Sequence, residues 1–335
     1  MVALAVGCAL VAAACSDGGD PRGSDPARTT TTTESTTTTA APAVEPGGTT
    51  VDATLRTPDG RDRTYHLYIP AGVAAAPTGE PVPLLVALHG GTGSGTQFEK
   101  SSGFDGLAEA NRFLVVYPDG VGTGADGATN RTWNGGRCCG VAAREAVDDV
   151  AFVGLLVDAL AGQYPVDPAR VYAAGHSNGG ILAYRLACEL SEVVVAVGVQ
   201  STSLEIDGCA PARPVSVLHI HGTADQNIPI DGGVGPRALS GVSFAVPVDG
   251  ARTMADRDGC PDEPERSTDP ANPDVTVDAW TPCDDGTEVR FVTVDGAPHS
   301  WMGPRRPGTR PNAEVYADLD ASARIWTFLI AHPRE

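Results

Sequence analysis

The sequence predicts an α/β fold, a mostly parallel central sheet with helices on both faces. Three observations carry that expectation. Short, nearly continuous apolar runs recur along the chain, as strands covered on both faces require. Longer helical stretches alternate with them, as the crossovers between parallel strands require. One Gly-rich pentapeptide, Gly175-His176-Ser177-Asn178-Gly179, sits at a strand-to-helix junction.

The elements follow in order. Val51–Thr57 and Thr64–Ile69 alternate apolar and polar residues around Pro58-Asp59-Gly60, a hairpin pattern. Val82–Leu88, Leu114–Tyr117, Val171–Ala174, Val193–Val199, Val215–Ile220 and Val289–Val294 read as strands. Glu145–Tyr164, Gly179–Leu190 and Val315–Ile330 read as helices. No second compositional boundary follows residue 51, so residues 51–335 read as one catalytic domain.

Composition narrows the function. Hydrophobic residues make up 41% of the chain, enough for a packed core. With 23 Lys and Arg against 42 Asp and Glu, the net charge is −19, which repels phosphate backbones and argues against a nucleic-acid partner. Residues 1–14 form an apolar run too short to span a bilayer and read as a signal peptide. Ala12-Ala13-Ala14-Cys15 resembles a bacterial lipobox, with Cys15 as the lipid-bearing residue and the membrane as a partner through that anchor. Ala12 stands where Leu is usual, and no Lys or Arg precedes the run. Residues 15–50 carry nine Thr between Thr29 and Thr39 and lack apolar periodicity, the pattern of an extended tether. The expected location is extracellular or at the cell surface.

The pentapeptide fits G-x-S-x-G, with a strand running in and a helix running out, so Ser177 is the candidate nucleophile. A serine hydroxyl needs a base. In the chain order serine, acid, histidine, the base must follow the acid, which leaves His299 on the loop after Val289–Val294. Asp225, after Val215–Ile220, is the candidate acid, with Asp231 and Asp207 as rivals. The developing oxyanion needs two backbone amides. Asn178 follows the nucleophile and supplies one. Gly91, in His89-Gly90-Gly91-Thr92-Gly93 after the first buried strand, supplies the other, with Thr92 as runner-up. No G-K-[ST] or G-x-G-x-x-G makes this loop a phosphate cradle, and no cofactor is expected. Trp133 and Trp301 are candidate substrate-binding residues.

Outside Cys8 and Cys15, six of the eight cysteines remain. Cys188 with Cys209 and Cys260 with Cys283 each bracket one loop and are paired on that ground. Cys138 and Cys139 then either join each other or the pairing differs. No C-x-x-C or H-E-x-x-H supports a metal site.

His89-Gly90-Gly91, the Ser177 pentapeptide, His221-Gly222-Thr223-Ala224-Asp225 and His299-Ser300-Trp301 together resemble secreted polyhydroxybutyrate depolymerase-like and feruloyl esterase-like α/β-hydrolases. These belong to the carbohydrate esterase family that also holds acetylxylan esterases. Val147–Phe152 and Trp133–Cys139 match segments of these proteins too. The resemblance implies the α/β-hydrolase fold, Ser177, Asp225 and His299 as triad, Gly91 and Asn178 as oxyanion hole, and a polyester or polysaccharide-linked ester as substrate. One departure is Met302-Gly303-Pro304, where Pro-Gly often follows the Trp. Beside ester hydrolysis stand two alternatives: an acyltransferase on the same triad, and a non-catalytic, lipid-anchored binding protein.

Overall fold

β1 (Thr49–Arg56) and β2 (Asp62–Ile69) form the antiparallel hairpin around Pro58-Asp59-Gly60, paired from Thr49 opposite Ile69 to Arg56 opposite Asp62. The computed structural model describes residues 47–73, 75–124 and 127–334, all within one unit, Ala43–Glu335. The proposed signal peptide, Cys15 and the tether up to residue 46 lie outside the described residues.

β3 (Val82–Leu88) is buried at every position and has the bounds its apolar run predicts. Next come α1 (Gly95–Ser102), α2 (Phe104–Asn111) and β4 (Leu114–Pro118), then a separate hairpin, β5 (Val121–Thr123) with β6 (Thr129–Thr132). The helix expected over Glu145–Tyr164 starts later and ends earlier, at Asp149 and Ala161. A short α3 (Gly140–Arg144) ends before Ala146, whose φ of 49° breaks the helical path. Asp148 then caps α4 (Asp149–Ala161), accepting from the Ala151 amide at 3.0 Å. β7 (Val166–His176) runs into Ser177, and α5 (Asn178–Glu189) runs out of it.

β8 (Ala196–Gln200), β9 (Ser216–Gly222), α6 (Pro247–Arg257), β10 (Glu265–Thr268), β11 (Val275–Trp280) and β12 (Val289–Val294) follow. The last helix is shorter than the predicted Val315–Ile330. α7 (Ala321–Ile330) starts only where the Asp320 carboxylate accepts from the Ala323 amide.

The ten-stranded sheet has the order β1-β2-β4-β3-β7-β8-β9-β12-β11-β10. Its middle, from β4 to β12, is parallel, and both margins are antiparallel. Strand alternation sorts the core onto two faces. Leu84, Val86 and Leu88 pack with Phe152 and Leu156 of α4, Leu182 of α5 and Met254 of α6. Leu85 and Ala87 face the other way, with Phe98 of α1, Phe104 of α2 and Trp326 of α7. His89, Ser177, Asp225 and His299 all come soon after carboxyl ends of parallel strands, where open α/β sheets bind ligands.

Cys188 pairs with Cys209, and Cys260 with Cys283. Each bridge closes a short loop, with sequence separations of 21 and 23. The adjacent Cys138 and Cys139 are joined to each other.

Candidate active site

Ser177 has φ 54° and ψ −122°, a backbone conformation that a residue with a side chain adopts only when its surroundings enforce it. Two glycines permit the turn. A Cβ on Gly175 would collide with the backbone of Gly179 and Gly180, and one on Gly179 with the carbonyls of Leu88 and His89. The Ser177 amide donates to the Gln200 carbonyl at 2.9 Å, and its carbonyl accepts from the Ile181 amide and the Thr202 hydroxyl.

The Ser177 Oγ lies 2.9 Å from His299 Nε2. His299 Nδ1 lies 2.7 and 2.9 Å from the two Asp225 oxygens, so Nδ1 carries the proton and Nε2 is free to accept one from serine. Burial works against ionising Asp225. The His299 hydrogen bond and charge, the nearby His221 and the Ile228 amide outweigh burial and hold the carboxyl below its usual range. The amides of Asn227 and Ile228 donate to Asp225 Oδ1 at 2.8 and 2.9 Å. The rivals stand apart: Asp231 is exposed, and Asp207 is exposed and faces Arg137.

Side chains that sequence reasoning left unassigned hold the His299 loop. Gln200 Nε2 donates to the Ser300 carbonyl at 2.7 Å, and its Oε1 accepts from the Met302 amide at 3.0 Å. His176 Nε2 donates to the His299 carbonyl at 2.7 Å. Burial and the neighbouring His299 push His176 down to about 3, so it stays neutral and keeps this donor. His176 was legible as a member of the pentapeptide; Gln200 carries no local signal beyond ending a strand.

A buried chain of hydrogen bonds backs the Asp225 loop. Tyr184 Oη meets His219 Nδ1 at 2.9 Å, His219 Nε2 meets His221 Nδ1 at 3.1 Å, and His221 Nε2 meets the Ile228 carbonyl at 2.9 Å. Burial lowers both imidazoles and keeps them neutral. The carbonyl end demands a donor, so each histidine donates from Nε2 and accepts at Nδ1.

On the oxyanion side, the Gly91 and Asn178 amides have no backbone or side-chain acceptor among the described residues, and a Cβ on Gly91 would lie 3.7 Å from the Asn178 Cβ. Thr92 is excluded as the donor, because its amide is already given to the Arg131 carbonyl at 2.8 Å. His89 accepts the Gly120 amide at Nε2 and donates from Nδ1 to the Gly90 carbonyl. Burial pushes His89 down to about 4, which keeps it neutral.

Trp133 requires a correction. It does not line the cleft; it is fully buried. Its indole donates to the His89 carbonyl at 2.9 Å, and its backbone exchanges two hydrogen bonds with the Asn178 side chain, at 2.7 and 2.9 Å. The Gly-rich loop that reads as surface is drawn inward by the buried Arg63–Asp149 pair, whose carboxylate also accepts the Asn134 amide. Trp133 therefore supports the oxyanion loop from beneath. Trp301 does line the cleft, packed edge-on against Phe98 and held by Ser322.

The cleft above Ser177 has a volume of about 1020 Å³. A hydroxyl hydrogen-bonded to an oriented imidazole, beside two unengaged amides, is an arrangement fitted to acyl transfer through a covalent intermediate.

Comparison with known proteins gives the family. Residues 63–255 match the family model described as esterase PHB depolymerase. Feruloyl esterase B of Piromyces equi is 31% identical over 225 residues, covering 65% of this chain and 39% of that protein. A protein of Nocardia uniformis subsp. tsuyamanensis, assigned as the esterase NocK, is 33% identical over 265 residues, 74% of each chain. The chain thus spans well under half of the first relative and three quarters of the second. The solved CE1 ferulic acid esterase of Anaeromyces mucronatus superposes with a TM-score of 0.51 at 13% identity, covering 88% of this chain and 93% of that one, a likeness of fold alone. With the fold, the elbow and the family match in agreement, the chain belongs to the PHB depolymerase esterase family.

Proposed function

We propose that the protein is a serine carboxylic-ester hydrolase acting through an acyl-enzyme, with Ser177, His299 and Asp225 as triad and Gly91 and Asn178 as oxyanion donors. The carrying observation is the unbroken series Ser177 Oγ, His299 Nε2, His299 Nδ1, Asp225, with spacings of 2.9 and 2.7 Å. Ser177 Oγ attacks the ester carbonyl while His299 Nε2 takes its proton. The tetrahedral oxyanion receives the Gly91 and Asn178 amides. His299 then protonates the leaving alcohol, and the acyl group stays on Ser177. A water molecule, deprotonated by the same nitrogen, releases the acid and restores the serine. The relatives named for feruloyl and acetylxylan esters, together with the family description, support an ester of a polymer, either a polyester or a substituted polysaccharide, with Trp301 at the cleft wall as a binding residue.

The working location is outside the cell. The apolar leader before Cys15, the Thr-rich tether and the paired cysteines support export to an oxidising compartment, with lipid on Cys15 as anchor. Mass spectrometry of the mature N-terminus tests the anchor; an unmodified terminus removes it and leaves the hydrolase reading intact. The activity itself is tested by release of 4-nitrophenol from 4-nitrophenyl acetate, together with labelling of Ser177 by a fluorophosphonate. Absence of both ends the proposal.

A further inference from the structure

The charge of the cleft runs against the charge of the chain. The protein carries 42 acidic and 23 basic residues, yet among the described residues the charged walls of the cleft are Arg137, Arg144, Arg237 and Arg310 against Glu314. Three features single out Arg310. Like Arg144, it is exposed and pairs with no carboxylate among the described residues, whereas Arg237 faces Glu314 at 3.6 Å and Arg137 faces Glu205 at 3.5 Å. Its Nη2 donates to the Gly91 carbonyl at 3.2 Å and to the Thr92 hydroxyl at 2.7 Å, which fixes the cation on the residue whose amide is an oxyanion donor. Both bonds come from one nitrogen, so the remaining donors of the fork have no protein acceptor among the described residues.

We propose that this cleft selects esters carrying a carboxylate near the scissile bond, with Arg310 as the specificity-determining cation. The inference rests on the ester-hydrolase reading above. A planar guanidinium with unused donors matches a carboxylate in shape and charge. In a chain of net charge −19, long-range repulsion disfavours anionic ligands, so a local cluster of guanidinium groups is what lets one enter. The carboxylate can sit on the acyl side or on the alcohol side of the ester, and the two are separated by substrate choice.

The test compares kcat/KM for matched charged and neutral esters, each corrected for its rate of hydroxide hydrolysis. Mono-4-nitrophenyl adipate against 4-nitrophenyl hexanoate reads the acyl side. 4-Acetoxybenzoate against 4-acetoxybenzamide reads the alcohol side. The wild type is expected to prefer the anion about tenfold in one pair, and Arg310→Gln to bring that ratio close to unity. Arg310→Lys, which keeps the charge but not the fork, should restore part of it. In 1 M NaCl, where the Debye length is about 3 Å, the wild-type preference should shrink. A wild type that turns over neutral esters and prefers the anion in neither pair overturns this inference alone. An unchanged ratio in Arg310→Gln with lower turnover of every ester also overturns it, reducing Arg310 to a support for the Gly91 loop. Failure to turn over any ester removes the hydrolase reading and this inference with it.

Discussion

His299 is held against Ser177 by an ionised partner, Asp225, whereas from the core the Gly91 loop is held only by neutral groups: His89, the Trp133 indole and, through Trp133, the Asn178 side chain. Both sides are preorganised, and they differ in what can undo them. Protons act on the base side directly, because His299 must stay neutral to accept from serine. The neutral groups that touch the Gly91 loop offer no comparable target, since burial holds His89 down at about 4; the ionised pair on that side, Arg63–Asp149, lies one layer behind, where burial raises the Asp149 carboxyl. One side is an acid–base device, and the other is a packing device.

The largest expected effect strikes the atom the two sides share. Ser177→Ala should lower kcat about a million-fold with the far-UV spectrum unchanged. A variant retaining a tenth of wild-type turnover would place the nucleophile elsewhere. On the base side, Asp225→Asn should cost about four orders of magnitude in kcat, because the wrong imidazole tautomer is then favoured. Asp231→Asn, exposed and without contact to His299, should stay close to wild type. The reverse ranking would reassign the acid.

Acidification separates the two sides. Turnover should fall on acidification in one proton step, because the base must be neutral to accept from serine and Asp225 is held ionised below the usual carboxylate range. Trp133→Phe removes the donor to the His89 carbonyl and strands a buried acceptor, costing about 1–3 kcal/mol of stability. A misplaced oxyanion loop should lower kcat by up to about a hundredfold. The acid limb of the pH profile should keep its midpoint; a shifted midpoint would show that the sides are coupled.

The smallest effect lies away from both. Asp258 is buried, and burial with Asp284 and Asp285 nearby pushes it up to about 7. The native state therefore holds a proton that the unfolded chain gives up near pH 4, and stability falls as pH rises from about 4 to 7. Asp258→Asn should raise the Tm at pH 8 more than at pH 4.5 without changing kcat. A gain of equal size at both pH values would remove the titration argument.

Much of the frame was legible because buried parallel strands write themselves as apolar runs: Val82–Leu88 and Val289–Val294 have the same bounds in sequence and structure. The proposed site residues Ser177, Asp225, His299 and Gly91 are legible as candidates because each comes within a few residues of such a run's end, and chain order then separates them. The helices α1, α2 and α6 were not read. α1 and α2 span only 8 residues each, and α6 buries mostly small side chains, Ala251 and Ala255 beside Met254, so none shows a long apolar stripe. Trp133 reads as a cleft residue because glycines and asparagine around it mimic a surface loop, while Arg63, the cation of the buried pair that draws the loop inward, lies far off in sequence on β2. Gln200 escaped for the same reason, since its partners at Ser300 and Met302 are about a hundred residues away.

Ile228 gives its amide to Asp225 and its carbonyl to His221, so a single residue joins the acid to the imidazole chain that ends at Tyr184. Every link in that chain has one direction of donation, and no link can reverse without leaving the Ile228 carbonyl or another buried group unmatched. Asp225 thus rides on a coil segment yet takes its stiffness from β9, which carries both imidazoles, and from α5, which carries both Tyr184 and Asn178. Thermal motion of the Ala224–Ile228 segment should therefore follow that of the sheet beneath it, and the distance from acid to base should vary less than a Gly- and Asp-rich loop would allow by itself.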